Sequence, residues 1–227
     1  MFDRLLAIIA PHHCSGCGKI GQILCQKCKN YITNRPYAAC VVCHAPSGVA
    51  NLCSRHRLPY RNAWCVAERT DTVQKLIDQL KFERKRATYS VLAELLDERL
   101  PELPRDTHIV PIPTAPRNIR RRGYDHMLLI ARALARCRNM PVTPLLVRRN
   151  NVTQHFAPDA KARRQQAKEF FALSRRFVVD PKANYLLIDD IFTSGATLGE
   201  AAKLLRQAGA KQIDIAIIAR QRDKTPQ

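Results

Sequence analysis

The chain has 227 residues, 46% of them apolar, enough to bury a core and to exclude a globally disordered protein. Its 38 Lys and Arg against 19 Asp and Glu leave a net charge of +19, far beyond what solubility requires and suited to a phosphate-rich partner. The longest early apolar run, LLAIIA at 5–10, falls far short of the roughly 20 residues that span a bilayer, and His12, His13 and Cys14 follow it at once. Neither membrane insertion nor a secretory signal is expected, and the cytoplasm is the expected compartment.

Residues 1–60 hold seven of the nine cysteines. Cys14 and Cys17, Cys25 and Cys28, and Cys40 and Cys43 are each separated by two residues, and Cys53 and His56 repeat the spacing with an imidazole replacing one thiol. This spacing lets both side chains of a turn reach one ion, and four such ligands complete the tetrahedron of zinc. A reducing compartment keeps the thiols from pairing as disulfides. One or two Zn2+ ions are therefore expected, most simply with Cys14, Cys17, Cys25 and Cys28 around one and Cys40, Cys43, Cys53 and His56 around the other, although interleaved sets fit the same spacing. Four protein ligands leave no position for water, so the role is structural and replaces a core that so short a module lacks. Cys65 and Cys137 stand outside the pattern among apolar neighbours and are expected to be buried.

Residues 61–222 read as an α/β domain, with a polar, disordered tail at 223–227. NAWCVAER (62–69) reads as a strand. In TVQKLIDQLKF the apolar Val73, Leu76, Ile77 and Leu80 recur at helical spacing up to Lys81. SVLAELLDERL is a second helix, stopped by Pro101 and Pro104. THIVPIP (107–113) is a strand that enters an arginine-rich loop, TAPRNIRRRGYD, and MLLIARALARC is again helical. Strands are expected near 142–147, 176–179, 184–189 and 212–218, and a helix near 197–208 ending at Gly209. Strand and helix alternating at short intervals predict a parallel sheet flanked by helices.

Ligands of such sheets bind beyond the carboxyl ends of the strands, where YLLIDDIFTSGAT (185–197) falls. Two adjacent acids close the apolar run, and a small, hydroxyl-rich turn leads into a helix. The backbone N–H groups of that turn and the helix N-terminus suit a phosphate monoester. Asp189 and Asp190 would then accept hydrogen bonds from sugar hydroxyls or hold magnesium.

An apolar strand, paired acids and a TSGAT turn resemble the ribose-phosphate signature of type I phosphoribosyltransferases. From Cys14 to Arg220 the chain is similar to the ComF family, in which a cysteine-rich zinc-ribbon module precedes a type I phosphoribosyltransferase-like domain and which is linked to competence and DNA uptake. Further landmarks are IDQLKF with Lys81, VPIPTAPRNIRRRGY with Arg122 and Gly123, TQHF at 153–156, and Arg164. The resemblance implies that Asp189 and Asp190 bind the ribose hydroxyls of phosphoribosyl pyrophosphate, directly or through Mg2+. It implies that Thr193, Ser194, Gly195, Ala196 and Thr197 cradle the 5′-phosphate, and that Thr114, Ala115, Pro116 and Arg117 line the pyrophosphate side. Lys81 and Arg122 belong to the same site by motif, and residues 153–164 resemble the mobile loop that closes over it. Four positions depart from the family pattern: Asp125 and His126 replace Asn-Gln after Tyr124, Gln165 stands where an asparagine after Arg164 is usual, and His56 takes the place of a cysteine. A carboxylate at Asp125 would repel pyrophosphate unless it turns outward or binds metal.

Three functions fit. One is a binder of phosphoribosyl pyrophosphate serving DNA uptake or processing, with single-stranded DNA and a helicase-like competence protein as partners. The second is an active phosphoribosyltransferase of nucleotide metabolism. The third is a non-catalytic nucleic-acid-binding adaptor. Arginines from Arg117 to Arg176 spread beyond one small pocket, which a phosphate polymer explains better than a single pyrophosphate does.

Overall fold

The computed structural model describes residues 11–48, 50–149 and 170–222. Within them the elements run α1 (Gln26–Thr33), β1 (Ala63–Glu68), α2 (Asp71–Lys81), α3 (Thr88–Arg99), β2 (Thr107–Pro111), α4 (Pro116–Arg122) and α5 (His126–Arg138). Then follow β3 (Leu146–Arg148), β4 (Phe171–Leu173), β5 (Asn184–Phe192), α6 (Ala196–Gln207) and β6 (Gln212–Arg220). The expected parallel sheet is present, with strand order β1, β6, β5, β2. Parallel neighbours need crossover connections, which the helices supply. Among the described residues no helix is long and apolar enough to cross a membrane.

Side chains alternate along β5 and so serve two cores. Leu186 and Ile188 face α2, α3 and α5, where Leu76, Leu80, Leu92, Leu96, Met127 and Ile130 are buried. Tyr185 and Leu187 face the opposite side, against Leu198, Ala201 and Leu205 of α6, Phe171 of β4, and Tyr37 and Val41 of the cysteine-rich segment. That segment is tied to the edge strand β1 by the N–H of Tyr37 on the carbonyl of Val66 at 3.1 Å and of Asn51 on that of Ala63 at 2.6 Å. The buried amide oxygen of Asn51 in turn accepts from the N–H of Cys65 and from Arg99, both at 2.8 Å.

The structure corrects several expectations. TAPRNIRRRGYD is not all loop, because Pro116 opens α4 at its first turn and Gly123, at φ 85°, stops it in the left-handed region. Around 142–147 only residues 146–148 form a strand, and Val142 makes an isolated bridge to Ile109 between the breakers Pro141 and Pro144. Residues 176–179 are not a strand. The strand there is β4, which pairs antiparallel with β3 in a separate two-stranded ribbon. Helix α1, beginning just after Cys25, has no counterpart in the sequence reading. Cys65 is buried as expected, but Cys137 is exposed near the end of α5. The tail, the 5–10 run, the TQHF landmark and the loop expected at 153–164 lie outside the described residues.

Candidate functional site

Strand β5 does not stop at the acids. It continues through them to Phe192, with Asp189 opposite Ile217 and Phe192 opposite Arg220 in the β6 register. Alternation therefore sends neighbouring carboxylates to opposite faces, which limits the repulsion that adjacency would otherwise impose.

Asp190 faces α2 and α5 and is 7% exposed. Its Oδ2 takes Lys81 Nζ at 2.6 Å and His126 Nε2 at 2.6 Å. Burial alone would push this carboxyl up, but the His126 hydrogen bond and the Lys81 charge outweigh it and hold Asp190 well below the usual carboxylate range. His126 extends the chain through Nδ1, which lies 3.0 Å from Arg122 Nη1 and 2.9 Å from Thr114 Oγ1. Thr114 Oγ1 donates to Asp125 Oδ1 at 2.8 Å, and that oxygen also accepts the N–H of Leu128 at 3.1 Å. Asp125 is thus the N-cap of α5. The departure at 125 puts a helix cap where a repulsive carboxylate was feared, and the departure at 126 supplies the imidazole that anchors Asp190. An Asp directly before the helical run was a readable capping signal, and Arg122 and His126 stand four residues apart.

Asp189 is half-buried on the other face, and its Oδ1 accepts the N–H of Asp190 at 2.9 Å. Burial first, and the Asp190 carboxylate second, push it up to about 7. Arg148 of β3, which sequence reasoning placed only among general basic residues, acts on Asp189 from this side. Burial lowers the guanidinium groups of both Arg122 and Arg148, and the two acids act against that lowering. Each of these arginines has a buried Nε without a hydrogen-bond partner among the described residues. Orphaned buried donors cost about 1–3 kcal/mol apiece.

Thr193, Ser194 and Gly195 form the turn between β5 and α6, and Ala196 and Thr197 open the helix, whose first N–H groups have no intrahelical acceptor. Gly195 has φ 74° and lies over the ring of Phe192, where an added Cβ would fall 2.4 Å from Cζ. Phe192 is itself under Arg220, whose Nε donates to the carbonyl of Val41 at 2.6 Å and whose Nη2 lies 2.9 Å from His44 Nε2. The turn at Gly195 is thereby braced by the cysteine-rich segment. Gly195→Ala is expected to cost about 3 kcal/mol through the left-handed backbone and the clash with Phe192, measured by thermal or denaturant unfolding.

Of the remaining residues expected at the site, Lys81 and Arg122 reach Asp190 directly and through His126, while Thr114 is turned inward to His126 and Asp125. Arg117, by contrast, is exposed on α4. A separate cavity of about 490 Å³, lined by Tyr31, Arg35, Tyr37, His44 and Glu68, contains none of them.

The eight expected metal ligands assemble as the sequential sets, Cys14, Cys17, Cys25 and Cys28, and Cys40, Cys43, Cys53 and His56, with ligand atoms of each set within 4.8 Å of one another. Two sulfur pairs, Cys17 with Cys25 and Cys43 with Cys53, are 3.7 Å apart, close to the roughly 3.8 Å edge of a tetrahedral zinc–thiolate site. The N–H of Cys25 points at Cys14 Sγ at 3.3 Å, and His56 Nε2 is buried without a partner among the described residues. For Cys14, burial is outweighed by amide donors from Cys25, Cys17 and Gly16, which bring the thiol down to about 6 and favour the thiolate that zinc takes. Both clusters could therefore bind zinc, with a closed shell.

A parallel sheet flanked by helices, with this turn at the end of β5, is the type I phosphoribosyltransferase fold, and residues 164–227 match the family model of the phosphoribosyl transferase domain. The chain as a whole is 28% identical over 223 residues to Competence protein F of Haemophilus influenzae, covering 92% of this chain and 95% of the relative. It is 27% identical over 215 residues to DNA utilization protein YhgH of Escherichia coli K12, at 91% and 88% coverage. Against Competence protein ComFC of Bacillus subtilis the identity is 25% over 203 residues, at 82% and 79%. The ComF-like character read from the residues thus extends over most of the chain.

Proposed function

We propose that the cleft at the carboxyl end of β5 binds phosphoribosyl pyrophosphate with Mg2+, and that the protein acts in DNA uptake or processing with single-stranded DNA as its partner. The observation that carries the first part is the arrangement around Asp189 and Asp190. The 5′-phosphate sits on the 193–197 turn, the ribose hydroxyls meet Asp189 directly or through Mg2+, and Arg148, on the Asp189 side, supplies positive charge for anionic oxygens. Asp190, paired with Lys81 and hydrogen-bonded to His126, organises the site. Asp189 would hold Mg2+, whose charge would offset that of the pyrophosphate. The DNA role is supported by relatives named for competence and DNA utilization and by the net charge of +19.

Calorimetry with phosphoribosyl pyrophosphate and Mg2+ tests the reading. Binding by the native chain is expected, with loss in Asp189→Ala/Asp190→Ala; no binding by the native chain overturns it. Asp189→Asn alone leaves the Asp190 contacts in place and keeps the test readable if the double variant does not fold. Because Asp189 must ionise to hold a cation and titrates at about 7, Mg2+-dependent affinity is expected to rise between pH 6 and 8. The same upward shift makes Asp189 unfavourable to the fold as pH climbs from about 4 toward 7, since the folded chain then holds the proton that the unfolded chain has lost.

A further inference from the structure

We propose that Phe82, with the arginines around it, is a stacking platform for a base of single-stranded DNA at the mouth of the ribose-phosphate cleft. Phe82 follows Lys81 at the end of α2 and is 60% exposed, although the apolar residues before it, Leu76, Ile77 and Leu80, are buried in the core. The guanidinium carbons of Arg121 and Arg122 lie 5.8 and 5.6 Å from its ring centroid. Arg84, held at φ 55°, folds the turn after Phe82 back onto α4 and donates to the carbonyl of Arg121 at 2.9 Å. Tyr124 closes the lower side, donating to the carbonyl of Leu80 at 2.6 Å.

Arg122 joins this surface to the cleft. It is 8% exposed, stacks on Phe82, and reaches His126, whose other nitrogen is bonded to Asp190. Residues 81–86 carry four basic side chains and α4 another four, against the single acid Glu83. An exposed aromatic face ringed by cations fits a ligand that offers a flat π surface beside phosphates. An acidic peptide supplies the charge without the ring, and a duplex keeps its bases inside the stack. A free nucleotide would satisfy the ring, but it leaves most of this cationic strip unmatched, whereas successive phosphates of a strand would follow it along α4.

The inference rests on the DNA partnership proposed above and is tested by fluorescence anisotropy of a labelled oligodeoxythymidine, titrated at several salt concentrations. Phe82→Ala is expected to weaken binding about tenfold with an unchanged salt slope, because stacking is lost and phosphate contacts are kept. Phe82→Trp is expected to retain native affinity. Arg120→Ala/Arg121→Ala is expected to flatten the salt slope. Native affinity in Phe82→Ala overturns the platform while leaving the DNA partnership standing; failure of the native chain to bind the oligonucleotide overturns both. Competition by thymidine monophosphate as effective, per base, as by the strand overturns the polymer assignment in favour of a free nucleotide. Since Phe82 is exposed, thermal unfolding of Phe82→Ala should match the native chain, which separates lost binding from lost folding.

Discussion

Asp190→Ala is expected to lower stability by about 3 kcal/mol, a fall of roughly 6–12 °C in melting temperature for a chain of this size. The reason is not the loss of a favourable contact alone. Lys81 and Asp190 are largely withdrawn from water, and removing the acid takes the compensating charge from the Lys81 ammonium and from Arg122. His126 would lose the acceptor on Nε2, and with it the anchor that keeps Nδ1 toward Thr114 and Arg122. Since the Asp190 carboxyl is held below its ordinary range, its contribution is complete above about pH 4 and is lost only as pH falls beneath that range. Lys81→Met should cost less than Asp190→Ala, because Asp190 keeps His126. A melting temperature for Asp190→Ala equal to that of the native chain would show that the buried cations do not depend on this acid, and the organising role given to it would fail.

The fold was legible where local pattern and tertiary context agree. The buried stripe of α2 and the apolar run of β5 are such cases, because a sheet covered on both faces needs continuous apolar strands, and the helices over it need one apolar face. What escaped was set by tertiary contacts or by overlooked caps. Nothing local distinguishes a strand that ends at two acids from one that runs through them; the β6 partners decide, and with them the opposite orientation of Asp189 and Asp190. The metal ligands were readable because four donors around one ion impose spacing on the chain itself. His126 was not readable as a site residue, since its partner Asp190 is 64 residues away and only the packing of α5 on β5 joins them. Phe82 lies off the stripe of Val73, Leu76, Ile77 and Leu80, two residues past its last member, and as the C-cap residue of the helix it emerges into solvent.

Stripping metal with a chelator is expected to destabilise the whole chain, by about 5 kcal/mol or roughly 10–20 °C in melting temperature, and the two clusters should contribute unequally. The cysteine-rich segment does not hang from the sheet on a linker. Asn51, between Cys43 and Cys53, bonds to the β1 edge, and Val41, next to Cys40, accepts from Arg220 over the Phe192 ring. Loosening the second cluster therefore withdraws support from β1, from β6 and from the turn at Gly195. The first cluster is tied to the opposite core, where Cys14, Leu24 and Ile32 are buried, and through Ser15 to Gln79 at 3.0 Å and Lys29 to Glu94 and Glu98 on α3, away from the turn at Gly195. Cys40→Ser should accordingly lower both the melting temperature and the affinity for ribose 5-phosphate, while Cys17→Ser lowers the melting temperature less and leaves that affinity close to native. Equal effects of the two substitutions on sugar-phosphate binding would mean that the path from Val41 through Arg220 and Phe192 to Gly195 transmits nothing, and that zinc serves only the segment that holds it.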